Sequence, residues 1–210
     1  MEVKEYYNIT MASYKTTKII PIALVLIIVA IAIAGLVSLA RAVFFSGNTD
    51  TTISQSDIAK EALLSSDPEH QVILTVRGPL VADEAFRSYQ IKINAGVRQI
   101  TTYSGYANNQ IGKVSLGNNV KAYEQFVFAL YKANLVKGTE FTGDKNDLRG
   151  VCATGYVYNF EVFAHDKDTR QLWTSTCSGS KGSLDADLDQ LMSLFTAQIP
   201  ESENLISQIW

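Results

Sequence analysis

Cysteine and histidine are scarce, with two of each in 210 residues. So few cysteines exclude a disulfide-dense scaffold, and two isolated histidines give no zinc-ligand spacing. Thirteen glycines without a three-residue period exclude a collagen-like chain. Excess positive charge is also missing. The net charge is −3, and a nucleic-acid binder needs a basic face to displace counterions. No G-x-G-x-x-G or G-x-x-x-x-G-K loop is present to cradle a phosphate, so no cofactor is expected. Disorder is excluded in turn, because 47% of the residues are hydrophobic.

What the chain does have is one long oily run. Residues 19–39, IIPIALVLIIVAIAIAGLVSL, carry no charged side chain. As a helix this run spans roughly 30 Å, the thickness of a bilayer's hydrocarbon core. Pro21 falls in its first turn, where a missing N–H costs little. A cleaved secretory signal is the competing reading, with Ala40-Arg41-Ala42 as the cleavage site. The run exceeds the roughly 7–15 apolar residues of a signal core, which favours a retained anchor. Lys4, Lys15 and Lys18 precede the run, while only Arg41 closely follows it. The positive-inside rule then keeps the N-terminus in the cytoplasm. Ala30, Ala34 and Ser38 recur every four residues, a spacing that lets two membrane helices approach closely and self-associate.

The expected organisation is a cytoplasmic segment 1–18, a transmembrane anchor 19–45, a polar tether 46–56 and an extracytoplasmic domain 57–210. Within the domain, a short helix over 57–65 precedes strands over 71–77, 86–94 and 97–103. In the second strand Tyr89, Ile91 and Ile93 share one face, and Ser88, Gln90, Lys92 and Asn94 the other. Residues 104–118, rich in Gly, Asn and Ser, read as loop. A helix over 119–136 carries Val120, Tyr123, Val127, Leu130 and Tyr131 at a 3.6 period, with Phe126 and Phe128 widening the stripe and Gly138 closing it. Strands over 151–164 and 169–177 flank a turn at His165-Asp166-Lys167-Asp168. A helix over 184–199, capped by Ser183 and stopped by Pro200, precedes a tail that docks through Leu205, Ile206, Ile209 and Trp210. Strands joined by hairpins predict an α+β fold, an antiparallel sheet packed by two main helices.

Cys152 and Cys177 both fall in the outside domain, where an even count favours a disulfide. Register opposes it. A two-residue turn at Asp166-Lys167 sets Cys177 opposite Tyr156, too far from Cys152 to bond. The turn must shift towards 164–165, or a bulge must intervene, with Gly155 as its candidate.

Trp173-Thr174-Ser175-Thr176-Cys177 resembles the Thr-Leu-x-Thr-Cys nucleophile segment of sortases over these five residues. The resemblance implies transpeptidation by the Cys177 thiol. That family also uses a downstream Arg and a well-upstream His. Here no Arg follows Arg170, His165 lies close before Cys177, and His70 lies far upstream. Ser178-Gly179-Ser180-Lys181 matches S-x-x-K without its S-D-N and K-T-G companions. Asp185, Asp187 and Asp189 begin like an EF-hand loop, but Gln190 and Thr196 replace its Gly and Glu. No catalytic or metal residue is therefore assigned.

Aromatic residues supply the remaining site. Tyr156, Tyr158 and Phe160 alternate along one strand and Trp173 lies on the next. They read as sheet packing or, if wet, as a surface for a protein or cell-wall partner. The chain as a whole reads as a single-pass, bilayer-anchored cell-envelope protein with an outside binding or structural module. The alternatives are an envelope hydrolase or transpeptidase, or a subunit of a larger membrane assembly.

Overall fold

The computed structural model describes residues 24–25, 27–34, 55–165 and 167–210. The chain divides into two units between Thr52 and Ile53. In the first unit the described residues are helical. Among the described residues no helix is long and apolar enough to cross a membrane. The rest of the expected anchor, with Ser38, the segment 1–18 and the tether to residue 54 lie outside the described residues.

The second unit is α+β. Its six strands are β1 (Gln71–Arg77), β2 (Arg87–Asn94), β3 (Val97–Ser104), β4 (Asn109–Gly117), β5 (Val157–Ala164) and β6 (Lys167–Ser175). They form one sheet in the order β4-β3-β2-β1-β5-β6, and every pairing is antiparallel. Strands β2 to β4 therefore run as a meander on one side of β1, and the β5–β6 hairpin returns to its other side. The helices are α1 (Gln55–Leu64), α2 (Val120–Lys132), α3 (Leu188–Thr196) and the short α4 (Ser202–Ser207).

One face of the sheet carries the core. Val72, Leu74 and Val76 of β1, Tyr89, Ile91 and Ile93 of β2, and Phe160 and Val162 of β5 are buried against the helices. The period of two in these strands reflects burial of alternate side chains. Helix α2 answers with Tyr123, Phe126, Val127 and Leu130, and α3 with Leu191 and Phe195. Phe195 lies between Phe126 and Phe160, at ring-centroid distances of 5.5 and 5.8 Å. Helix α1 adds Ala59, Ala62 and Leu63, so three helices cover the sheet where two were expected. Its first residues, Gln55 and Ser56, take over the end of the expected tether.

Several boundaries move for physical reasons. Asn109–Gly117 forms an edge strand, although its composition reads as loop. An edge strand faces solvent along most of its length, so only Val114 and Leu116 pack against the core. Helix α2 ends at Lys132, not near 136, because Asn134 turns left-handed (φ 64°). The Asn134 N–H then reaches Tyr131 O and the Leu135 N–H reaches Leu130 O, each at 3.0 Å. That is a Schellman closure, formed by Asn134 in place of Gly138. Gly138 serves elsewhere. A Cβ there would stand 2.1 Å from Ser183 O, and Gly138 pairs with Leu184 as an isolated bridge. Phe128 is 51% exposed, outside the apolar stripe. Helix α3 starts at Leu188, capped by Asp187, whose Oδ1 accepts from the Gln190 N–H at 2.9 Å. Ser183 instead lies buried, its Oγ accepting from the Trp173 N–H at 3.1 Å. The tail docks as expected, with Leu205, Ile206 and Ile209 against the core and Trp210 edge-on to Tyr156 at 4.9 Å.

Candidate functional site

The sheet's second face is built differently. Its side chains on β1 to β3 include Thr75 and Arg77, Ser88 and Gln90, and Thr101 and Tyr103. Ser88 and Thr101 are buried beside Ile73 and the others are partly exposed, while among the described residues α1 to α4 pack on the core face. Gln90 Nε2 donates to Thr75 Oγ1 at 3.3 Å across the β1–β2 ladder. Towards β5 and β6 the same face is covered by the segment before β5. There Asn146 donates to Gln171 Oε1 at 2.7 Å, and Gln171 donates to Asn159 Oδ1 at 3.1 Å.

Between the covered and open parts lies a groove of about 380 Å³. Thr75, Arg77, Ser88 and Gln90 form its floor, and Tyr103, Tyr106, Asn108 and Arg149 its rim. Hydrogen bonds and a ring stack at the β3–β4 turn brace one wall. Gly105 (φ 71°) and Asn108 (φ 55°) take the left-handed turn conformation. The Tyr106 hydroxyl donates to Val81 O (2.7 Å) and accepts from the Val81 N–H (3.1 Å). Its ring stacks on buried Phe86 at 4.1 Å. Asp83 accepts from the Tyr106 N–H at 2.7 Å, which fixes the turn from below.

Two guanidinium groups face the groove with different partners. Arg149 is held by Asp147, with Nε donating to both carboxylate oxygens at 2.9 Å. The side-chain and backbone hydrogen bonds from Arg149 push the Asp147 carboxyl down to about 2, with a smaller contribution from the charge of Arg77. Arg77 itself lies over the Phe86 ring at 5.6 Å. Among the described residues no carboxylate comes within ion-pair distance of it.

The aromatic residues singled out from the sequence do not form one surface. Phe160 is buried in the core, and Tyr156 and Tyr158 pack partly against it. Burial raises the Tyr158 hydroxyl's pKa, as do neighbouring Tyr156 and Asp189. Trp173 is buried on the opposite face with Cys152 and Val157, its ring 6.0 Å from Phe141. Alternation along β5 is thus real, but Trp173 pairs with Asn159, whose side chain points the other way.

Cys152 and Cys177 are bonded, with their Cα atoms 5.5 Å apart. The turn shifts so that Ala164 pairs with Lys167, and a bulge between Val162 and Phe163 shifts the register again. Residues 151–156 are not strand, which lets Cys152 fold back to Cys177. The bulge is not at Gly155. A Cβ on Gly155 would stand 3.0 Å from Cys152 Sγ, so its small size serves the bend. With Cys177 bonded, the segment resembling a sortase carries no thiolate. His165 lies at the turn end of the β5–β6 hairpin and Cys177 at its open end, so they form no nucleophile–base pair.

The two histidines nonetheless meet. Their rings lie edge to face at 5.2 Å beside a cavity of about 290 Å³. His165 is hydrogen-bonded to Glu69 through Nδ1, and His70 Nδ1 is 3.8 Å from Asp67. Among the described residues no group of three or more His, Cys, Asp or Glu is arranged to hold a metal. Ser178–Lys181 forms a turn in which Ser175 Oγ donates to Ser180 O, and Lys181 O accepts from Thr174 Oγ1 at 2.9 Å. Asp185 pairs with Lys137 at 2.9 Å.

Sequence reasoning found the polar stripe of β2 but missed the groove. Arg77, Tyr103, Tyr106 and Arg149 come from separate segments, and only the β3–β4 turn and the fold-back before β5 bring them together. No protein-family model matches the chain, and no curated protein matches it in sequence.

Proposed function

We propose that the chain is a membrane-anchored cell-envelope protein whose outside domain binds a partner through the partly exposed polar face of its sheet. The observation that carries the binding role is the asymmetry of that sheet. Helices bury one face, while the other keeps hydrogen-bonding side chains and a groove of ligand-site size, about 380 Å³. The location rests on the 19–39 run and on a disulfide, a bond that persists in oxidising compartments. The disulfide also favours binding over cysteine chemistry, since a bonded sulfur is no nucleophile.

Photo-cross-linking in intact membranes tests this reading. A cross-linker replacing Lys92, on the polar face, is expected to capture a defined partner. One replacing Gln125, on the exposed side of α2, is expected to capture none. Equal capture from both positions, or none from Lys92, contradicts it.

A further inference from the structure

We propose that the groove beside Arg77 binds a singly charged, hydroxyl-rich anion, of the class of a uronic acid or an acidic sugar residue. This rests on the polar face being the binding face and goes on to name its ligand. Charge decides the sign. Of the two guanidinium groups at the groove, Arg149 already has Asp147 as its counterion, and Arg77 has no carboxylate in ion-pair range among the described residues. One unmatched cation calls for one negative charge. A guanidinium offers a carboxylate two parallel N–H donors in a planar fork.

The rest of the lining decides the class. The Gln90 and Asn108 amides and the Thr75 hydroxyl, which accepts from Gln90 at 3.3 Å, both donate and accept and so match sugar hydroxyls, with Ser88 buried beneath them. Tyr106 adds a ring backed by Phe86 and fixed at its hydroxyl by Val81. A wall braced by these contacts loses less freedom when a ligand docks. The volume, about 380 Å³, lies at the small end of ligand cavities, suited to one or two sugar rings rather than a folded chain.

Calorimetric titration of the full chain in detergent micelles with D-glucuronate, D-glucose and inorganic phosphate tests this. Glucuronate is expected to bind, more weakly as salt rises, and glucose and phosphate at least about tenfold more weakly than glucuronate. Arg77→Gln is expected to weaken glucuronate binding at least about tenfold, Arg77→Lys by less, and Lys121→Gln on α2 not at all. Circular dichroism confirms that each variant remains folded. Equal binding of glucose, an unaffected Arg77→Gln, or no heat with any probe overturns the proposal. A partner captured from Lys92 without glucuronate binding removes the ligand class and leaves the binding face. Glucuronate binding without capture from Lys92 removes the partner and leaves the site.

Discussion

Cys177 lies just past the end of β6, and its sulfur is bonded to Cys152, which reaches it by folding back before β5. The bond thus ties the loop before β5 to the end of β6. It closes a sequence separation of 25 residues, worth roughly 3 kcal/mol in the chain-entropy picture. Reduction, or the double variant Cys152→Ser/Cys177→Ser, is expected to lower the unfolding free energy by about that much. Unfolding of the full chain in urea, with and without reductant, measures it.

Gly155 holds the fold-back together. A Cβ there would stand 2.1 Å from Thr176 Oγ1, which accepts from the Tyr156 N–H at 2.9 Å. Gly155→Ala is expected to destabilise the domain by about 1–3 kcal/mol through overpacking. Gly179→Ala, where a Cβ meets nothing within 4 Å, is expected to change stability little. Thermal unfolding of the two variants side by side separates the cases.

The helix caps give a second stability test. Asn119 Oδ1 accepts from the Ala122 N–H and Asp187 Oδ1 from the Gln190 N–H, each at 2.9 Å. Replacing either with Ala is expected to cost about 1 kcal/mol. Ser183→Ala acts by another route, because it leaves the buried Trp173 N–H without its acceptor, for about 1–3 kcal/mol. Chemical denaturation of the three variants measures these differences.

Asp147 supplies the pH dependence. Its folded pKa is depressed to about 2 by the hydrogen bonds from Arg149. A depressed acid stabilises the fold above its unfolded pKa, and that contribution is lost as pH falls through the folded value. Asp147 is partly exposed, so the effect on global stability is small and salt-sensitive. The direct readout is the carboxyl chemical shift, expected to titrate near 2 and to move up towards the ordinary aspartate range in Arg149→Gln.

The fold's central strands were legible because burial imposes a pattern. Ile91 and Ile93 alternate with Gln90, Lys92 and Asn94, as a half-buried strand must, whereas in β1 Ile73 is buried next to Leu74. Strand β4 was not legible, because an edge strand with Gly112 and Gly117 owes its structure to backbone pairing with β3. Gly112 fits there because a Cβ would stand 2.6 Å from Thr102 Oγ1. Helix ends slipped where two residues compete for one role, Asn134 against Gly138 and Asp187 against Ser183. The groove was least legible. Ser88 and Gln90 show a polar stripe, but nothing local to Arg77 or Arg149 says that they converge. The meeting of His70 and His165 was hidden for the same reason, since it depends on β1 pairing with β5.

The central claim is that the folded domain lies outside the membrane with its one sulfur bridge intact. Intact cells of the native host are treated with or without a membrane-impermeant reductant, quenched and denatured. Free thiols on the full-length chain are then counted with a maleimide–polyethylene glycol reagent. The account predicts no adduct without the reductant and two with it. Two adducts regardless of reductant, or none even with it, would contradict the account.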